Sequence, residues 1–535
     1  MLFGRNKEEF LFADIEGGVK LTACRSKTAE IFVPDSFEGK PVIEIGENAF
    51  YDLSKAVSVR LPDSVKVIGT NAFRGCKSLE TVNLPKDAVT IGDYAFGGCK
   101  KLDGVTLPEG LTELNEGVFT GCKALSSIVL PVNVIRIGAE AFSGCASLSS
   151  ITFGDKPAEI GENALAGLSD TLSLVLPAGT QLTKESGLDS CSCVYTKIED
   201  GLELTVYGGH ETDISLPDSF SGLPVVSIGA RVFSMFAYLE KITLPAGLKR
   251  IGEGAFTGCS GLTDIEFPET LTEIGAGAFS GCGPHEARPG MRVYNKNAEL
   301  TGDGITSLVF PKELSYIGEA AFAGCSALEN VKFSGNKVTE IQSRCFAGCS
   351  ALTDIALPAA VESIWDHAFE GCMALESINI PENVEVIGEG AFSLCVSLKS
   401  IFIPAKVREI GEEAFAFTQS LASIKSESPA FVKNGVCLID VKNSSLLAVP
   451  ALFDGEIVVP EGVKRIANAA LSLSNAASVT VPEYVASIGD WAFRNSKIQF
   501  LHIDNPDIEL GNALILGSEH ITVEAPANVY DQIMA

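Results

Sequence analysis

Residues 68–84 read IGTNAFRGCKSLETVNL, and much of the chain repeats the pattern of this stretch. An Ile-Gly pair is followed by Ala-Phe, then by Gly-Cys, then by alternating apolar and polar residues that end at a proline. A fixed period of this length is typical of a solenoid, in which each coil buries its apolar face against its neighbours. The first position of the pattern recurs, mostly at steps of 23 residues, at Ile45, Ile68, Ile91, Leu114, Ile137, Ile160, Ile228, Ile251, Ile274, Ile317, Ile341, Ile364, Ile387 and Ile410.

Each repeat divides into short elements. Leu79, Val82 and Leu84 alternate with polar residues, which predicts a strand with its apolar face turned inward. Val65 and Ile68 suit a second brief strand. The three residues that end at each Ala-Phe pair are expected to form one helical turn that directs the ring into the core. Stacked coils of this kind would give parallel β-ribbons.

Two columns of identical residues are expected inside the stack. Ten of the 15 cysteines occupy one repeat position, and we interpret them as buried thiols that fill space. Parallel in-register sulfurs fit disulfide torsions poorly, and a zinc site would need local C-x-x-C pairs. The ring column is Phe50, Phe73, Phe96, Phe119, Phe142, Phe233, Phe256, Phe279, Phe322, Phe346, Phe369, Phe392, Phe415 and Phe493. The cysteine column is Cys76, Cys99, Cys122, Cys145, Cys259, Cys282, Cys325, Cys349, Cys372 and Cys395.

The phrase IG-x-x-AF-x-GC-x-x-L-x-x-I-x-LP, seen with one substitution at Ile251 to Pro268, resembles the BspA-like leucine-rich repeat family over roughly residues 34–525. The resemblance is specific for the repeat type. It implies leucine-rich-repeat-like stacked coils, so the expected fold class is an α/β repeat solenoid with short parallel β-ribbons and one helical turn per coil. Known relatives are often bacterial or protist surface proteins implicated in adhesion.

The chain is predicted to carry two arrays. The passage around residues 15–46 returns 183 residues later, as expected if two N-terminal caps each introduce an array. We therefore expect one domain at residues 1–195 and a second at 196–535. The second would contain an insertion at 283–304, a hairpin segment at 427–460 and a C-terminal cap. The hairpin segment fits either a third cap or an insertion in a continuous solenoid.

Charge and targeting signals limit the partners. The net charge is −28, which repels phosphate backbones and anionic lipid, so nucleic-acid binding is not expected. No apolar run has the length of a membrane span, so no membrane insertion is expected. The N-terminus lacks the features of a secretory signal peptide, which predicts a cytoplasmic location. The alternative that the family resemblance implies is a cell-surface or secreted protein.

No catalytic constellation is recognisable, so no enzyme activity, cofactor or metal is expected. The sequence has no phosphate-binding loop or nucleophile elbow, and its five histidines share no repeat position. A Cys-x-Cys pair at Cys191 and Cys193 is the weak alternative for a redox or metal site.

Protein binding is the favoured function, through the polar side of the strands and through the insertion. The main hypothesis is an interaction scaffold, and the alternative is an adhesin for host or matrix proteins. The outward strand positions of the first array are small, at Asn83, Thr106, Val129 and Thr152. Candidate contact residues are Phe402 as an aromatic anchor, Glu240, Asp264, Glu266 and Asp354 on the strands, and Arg288, Arg292 and Tyr294 in the insertion. A lone surface aromatic and a tolerated insertion are the alternatives for these two sites.

Overall fold

The computed structural model describes residues 9–156, 158–169, 172–180, 186–187, 192–284, 304–518 and 520–534. Within these residues the chain forms 44 short β-strands and one α-helix, α1 (Ala527–Met534). The first strands are β1 (Phe10–Ile15), β2 (Gly18–Cys24), β3 (Glu30–Phe32), β4 (Ser36–Phe37), β5 (Lys40–Ile45), β6 (Ser58–Arg60), β7 (Val67–Ile68), β8 (Thr81–Asn83), β9 (Thr90–Ile91), β10 (Glu113–Leu114), β11 (Ser127–Val129), β12 (Arg136–Ile137), β13 (Ser150–Thr152), β14 (Glu159–Ile160), β15 (Ser173–Leu176), β16 (Cys193–Ile198) and β17 (Gly201–Tyr207). The remaining strands are β18 (Asp213–Ser215), β19 (Ser219–Phe220), β20 (Leu223–Ile228), β21 (Lys241–Thr243), β22 (Arg250–Ile251), β23 (Asp264–Ile265), β24 (Glu273–Ile274), β25 (Ser307–Phe310), β26 (Tyr316–Ile317), β27 (Asn330–Phe333), β28 (Glu340–Ile341), β29 (Asp354–Ile355), β30 (Ser363–Ile364), β31 (Val386–Ile387), β32 (Ser400–Ile403), β33 (Glu409–Ile410), β34 (Ser423–Ser426), β35 (Phe431–Asn434), β36 (Cys437–Asp440), β37 (Ser445–Ala448), β38 (Glu456–Val458), β39 (Arg465–Ile466), β40 (Ser478–Val481), β41 (Ser487–Ile488), β42 (Phe500–Ile503), β43 (Glu509–Leu510) and β44 (Thr522–Glu524).

Unit 1 consists of Met1–His210 with Phe220–Pro224. It starts with the antiparallel pair β1–β2, and β5 then pairs with β2 in parallel. We call the strands that carry the first position of the repeat pattern the bend ladder, here β5–β7–β9 and β10–β12–β14. We call the strands on the other side of each coil the face ladder, here β3–β6–β8 and β11–β13–β15–β16. The outer residues of these face strands are exposed, and the central one is buried, as in β8 and β11.

Unit 2 consists of Glu211–Ser219 with Val225–Ala535. Its face ladder is formed by β18–β21–β23, β25–β27–β29, β32–β34 and β38–β40–β42–β44. Its bend ladder includes β22–β24–β26, β28–β30–β31–β33 and β37–β39–β41–β43. Within the segment at 427–460, β35–β36 and β36–β37 are antiparallel, and β37 then pairs with β39 in parallel. The division of the sequence at residue 195 stays a prediction.

The Ala-Phe segment is not a helical turn, which corrects the prediction of one helical turn per coil. Asn71 and Gly75 have φ of 54° and 78°, in the left-handed region, whereas an α-helix needs a negative φ at every residue. The N–H of Cys76 donates to the carbonyl of Phe73 at 3.1 Å, while the N–H of Phe73 donates to Ala95 of the next coil at 2.7 Å. The segment is therefore a run of tight turns whose remaining N–H groups bond from coil to coil.

The phenylalanine column is confirmed as a packed stack. The Phe73 ring lies 4.6 Å from the Phe50 ring and 5.1 Å from the Phe96 ring, with interplanar angles of 9° and 5°. In unit 2 the rings of Phe279 and Phe322 lie 5.3 Å apart at 2°. Offset stacking of buried aromatic rings adds to the free energy gained from burial alone. The stack is thus the central packing feature of both arrays.

The cysteine column makes hydrogen bonds as well as filling space. The Sγ of Cys76 donates to the carbonyl of Phe50 in the preceding coil at 3.0 Å. The ten cysteines of this column are all buried and form no disulfide. In the C-terminal coils a serine replaces the cysteine, and Ser518 Oγ donates to the Phe493 carbonyl at 2.8 Å. The same contact is made by Cys99, Cys122, Cys145, Cys259, Cys282, Cys325, Cys349, Cys372 and Cys395.

The first coil of each array carries a bulky residue at the thiol position. Leu53 takes this position in unit 1 and Phe236 takes it in unit 2. The Phe236 side chain is buried, and Leu53 packs against the core of unit 1. Each thiol column therefore begins against an apolar side chain.

The glycine of the Ile-Gly pair is needed for close stacking of coils. A Cβ on Gly138 would lie 2.7 Å from the backbone carbon of Asn115 and 2.7 Å from the backbone nitrogen of Glu116. Real Cβ atoms do not approach backbone this closely, so neighbouring coils must separate to admit a methyl group. The repeat glycine thus sets the spacing between the bends.

We expect Gly138→Ala to destabilise unit 1 by about 1–3 kcal/mol, the usual cost of overpacking. Urea denaturation of the intact chain measures the effect. Gly104→Ala is the matched control, because a Cβ on Gly104 meets no atom within 4 Å. That change should be neutral or stabilise by less than about 1 kcal/mol through the unfolded chain. Equal effects of the two substitutions would contradict the role of Gly138 in coil spacing.

Candidate binding grooves on the strand face

The face ladder of unit 1 is interrupted between β8 and β11. Residues 104–107 occupy the intervening coil but form no strand. Gly104 stands where the neighbouring coils have Thr81 and Ser127, and glycine weakens a strand because it has no side chain to pack and more freedom to lose. Within the described residues, no group accepts a hydrogen bond from the backbone N–H groups of residues 104–107. The interruption therefore leaves backbone N–H groups on the strand face without a hydrogen-bond acceptor among the described residues.

Beside the interruption, the side chain of Asn83 on β8 forms hydrogen bonds to the backbone of the preceding coil. The N–H of Leu61 donates to Oδ1 of Asn83 at 2.7 Å, and Nδ2 of Asn83 donates to the carbonyl of Leu61 at 3.1 Å. On the far side, Leu130 N–H donates to the carbonyl of Thr152 at 2.8 Å, as in a continuous ladder. The break is therefore confined to the Gly104 coil.

A groove of about 710 Å³ follows this interruption, and we call it the unit 1 groove. Val129 and Val132 form part of its wall and are 66% and 59% exposed. Glu109 is the one ionisable side chain among its lining residues. The lining also includes Thr81, Asn83, Gly104, Thr106 and Pro131. The groove combines exposed aliphatic surface, small polar side chains and open backbone.

A smaller groove of about 270 Å³ lies on the face ladder of unit 2 at β21 and β23. Lys241 Nζ lies 3.1 Å from a carboxylate oxygen of Asp264. Asp264, through its hydrogen bond and its charge, raises the pKa of Lys241, and the charges of Asp213 and Glu266 act in the same direction. Carboxylates thus outnumber cations here, in contrast with the nearly uncharged lining of the unit 1 groove.

Two of the predicted contact residues meet in the unit 2 groove. Asp264 and Glu266 both line it. Glu240 is exposed nearby but is not among the lining residues, and its carbonyl accepts the N–H of Thr263 at 3.0 Å. Asp354 is exposed on β29, in another part of unit 2. Arg288, Arg292, Tyr294 and Cys191 lie outside the described residues.

Phe402 is half-buried, and its role as an aromatic anchor stays a prediction. The residue does occupy an outward position of β32, opposite Lys425 of β34 on the same side of the ladder. A long side chain on the neighbouring strand can lay its methylene groups along an aromatic ring and reduce the exposure of that ring. The alternation in the sequence predicted the outward position of Phe402 but not its partial burial.

The prediction included three outward residues of the unit 1 groove, Asn83, Thr106 and Val129, but it did not include the interruption of the ladder that forms the groove. Gly104 and Val132 were missed. A signal was present, because Gly104 breaks a column that holds serine or threonine in the neighbouring coils. Val132 follows a proline outside the strand, so alternation gives no information about it.

Among the described residues, no group of three or more His, Cys, Asp or Glu side chains is placed to hold a metal ion. Within the same residues, no helix has the length and apolar character needed to cross a membrane. A depression of about 500 Å³ lies over the turns of unit 2, near the ion pair of Arg231 and Glu253.

The stacked parallel coils and their strand face define a leucine-rich repeat solenoid. The family model described as BspA type leucine rich repeat region (6 copies) matches residues 42–200, 213–287, 297–427 and 455–529. These ranges together cover more than half of the chain, and the chain belongs to the BspA-type leucine-rich repeat family.

Several solved structures are similar to the chain. A leucine-rich repeat protein from Bacteroides ovatus is 26% identical, with 78% of this chain and 92% of that chain covered and a TM-score of 0.36. A leucine-rich cell surface protein from Faecalibacterium prausnitzii is 22% identical, with 78% and 93% covered and a TM-score of 0.34. The pneumococcal vaccine antigen PcpA is 18% identical, with 78% and 92% covered and a TM-score of 0.27. No curated protein matches the chain.

Proposed function

We propose that the chain is a non-enzymatic scaffold that binds a protein partner through its face ladder. The observation that carries this proposal is the presence of exposed apolar side chains at outward positions of face strands. These positions point away from the core, and the exposed fractions of their side chains lie between 57% and 66%. The residues are Phe32 and Val129 in unit 1, and Val309, Val458 and Phe500 in unit 2.

Binding at these positions is physically favourable. Covering apolar surface contributes about 25 cal/mol per Å² removed from water. The strands that carry the side chains are held by ladder hydrogen bonds and by the buried ring column, so little conformational freedom remains to be lost on binding. Preorganised surfaces of this kind lose less free energy to ordering. A rigid face with scattered apolar side chains is therefore suited to a protein partner.

The acidity of the chain helps to define the partner. The net charge of −28 disfavours nucleic acid and anionic membrane surfaces. Neutral or basic protein surfaces experience no such repulsion. Electrostatics thus supports a protein partner that is not itself strongly acidic.

A photocrosslinking amino acid at Val129 tests the proposal in a lysate of the source organism. We expect discrete crosslinked protein adducts from this position. The matched control carries the same amino acid at Tyr51, which is 54% exposed but lies in a turn rather than on the face ladder. Equal adduct patterns from both positions, or none from Val129, would count against a binding role for the strand face.

Family membership supports a second proposal, in which the partner is a host or matrix protein at the cell surface. The ten buried cysteines of the column form no disulfide, which favours the first proposal, because disulfides form and persist in extracellular environments whereas reduced thiols are typical of the cytosol. Protease treatment of intact source cells separates the two. A protein that remains intact until lysis does not act as an adhesin under those conditions.

A further inference from the structure

We infer that the unit 1 groove binds an extended peptide segment of the partner that is neutral or basic and carries small aliphatic side chains. This inference rests on the proposed function and adds the conformation and chemistry of the bound segment. Its basis is the interruption of the face ladder at residues 104–107.

The conformation of the ligand follows from the unused backbone groups. In neighbouring coils the face strands exchange hydrogen bonds along the ladder, as β11 does with β13. The backbone N–H groups of residues 104–107 have no acceptor among the described residues, and they lie at an open groove. An extended chain presents free N–H and carbonyl groups along its length, whereas an α-helix uses its own internally. An extended segment therefore complements this surface better than a helix does.

Gly104 makes room for such a segment. A Cβ built on this residue meets no atom within 4 Å, so the position opens directly to the groove. A ligand backbone can approach the Gly104 backbone without contact with a side chain. The absence of a side chain at this one coil thus provides both the space and the access to the backbone.

The walls of the groove select the side chains and charge of the ligand. Val129 and Val132 are largely exposed and offer aliphatic contacts of limited size. Glu109 is the one ionisable lining residue, and it belongs to a chain with a net charge of −28. Acidic peptides are therefore repelled, whereas neutral or basic peptides are accepted.

Selection of a display library of short linear peptides on the intact chain tests the inference. We expect neutral or basic, aliphatic peptides whose affinity falls by about tenfold or more on Gly104→Leu, which fills the groove. Gly247→Leu is the matched control, because a Cβ there also meets no atom within 4 Å and the residue lies outside the two strand-face grooves. Replacement of alternate backbone amides of a selected peptide by esters should weaken binding by a similar factor, since it weakens the carbonyl acceptors for the N–H groups of residues 104–107 and leaves the side chains unchanged.

A second variant controls for misfolding of the Gly104→Leu protein. Val129→Asp changes an exposed outward side chain, so unit 1 should keep its thermal stability while it loses affinity for the same peptides. Selected peptides that bind both groove variants as tightly as the unchanged chain would overturn the inference, as would selected peptides that bind as helices. If a partner crosslinks at Val129 but no selected peptide loses affinity for the groove variants, the proposed function remains supported and only the inference is rejected.

Discussion

Phe119→Ala should lower the free energy of unfolding of unit 1 by about 3–5 kcal/mol. The Phe119 ring is fully buried and stacks between Phe96 and Phe142, with centroid distances of 5.6 and 5.8 Å. Removal of the ring loses its burial and leaves a cavity between two rings that are held by their own coils. The backbone carbonyl that accepts the Cys145 thiol is retained, so the loss measures the ring stack itself.

The effect is measured by native-state hydrogen exchange of unit 1 amides in the intact chain, because a long repeat array need not unfold in one step. Phe32→Ala is the matched control, since that ring is 62% exposed on β3. The control should change stability by no more than about 0.5 kcal/mol. Similar losses from the two substitutions would show that the stack contributes nothing beyond ordinary surface packing.

Alkaline pH should destabilise unit 1 through its buried thiols. Burial raises the pKa of Cys76 and of Cys145 from 9.0 to about 12 each. Between these values the unfolded chain loses protons that the folded chain keeps, so the stabilisation present below about pH 9 is lost as the pH rises towards 12. At about pH 10, each such thiol should cost roughly 1.4 kcal/mol relative to neutral pH.

Cys145→Ser isolates this contribution. Serine occupies the same repeat position in the C-terminal coils, where Ser518 donates to a phenylalanine carbonyl, so the substitution keeps a donor and removes the titrating group. The loss of stability between about pH 7 and pH 10 should be smaller in the variant by about 1 kcal/mol. Urea denaturation at the two pH values measures the difference. An unchanged pH dependence would mean that the Cys145 thiol ionises equally easily in both states.

The coil architecture was predictable because each position repeats many times. A single Ile, Phe or Cys carries little information, but their recurrence at one spacing indicates a shared environment. The structure places Phe73 and its equivalents in a stack, and it places Val82 inward and Thr81 outward as the alternation predicts.

The backbone of the turns was harder to predict. Asn71 and Gly75 favour left-handed φ, so a signal was present in that coil. The equivalent of Asn71 in other coils is Tyr94 or Glu140, with φ of 53° and 56°, and neither residue type predicts this conformation. Tertiary contacts between coils impose it, and a local reading of Asn-Ala-Phe as a helical turn cannot include them.

The binding grooves depend on departures from the repeat, which periodicity alone does not evaluate. Gly104 is conspicuous only against the serine and threonine of neighbouring coils. Asp264 and Glu266 were named from their outward direction, and their proximity to Lys241 follows from the pairing of β21 with β23.

The bulky residue at the start of each thiol column affects which coils can be duplicated without loss of a thiol–carbonyl contact. A duplicated coil inserted after Phe73 would bring a cysteine whose thiol finds a phenylalanine carbonyl on the coil before it. Duplication of the first coil would instead place a second Leu53 inside the column, where the carbonyl of the preceding phenylalanine would lose its donor. Duplication of an interior coil therefore preserves the column of thiol–carbonyl contacts, whereas duplication of the first coil interrupts it.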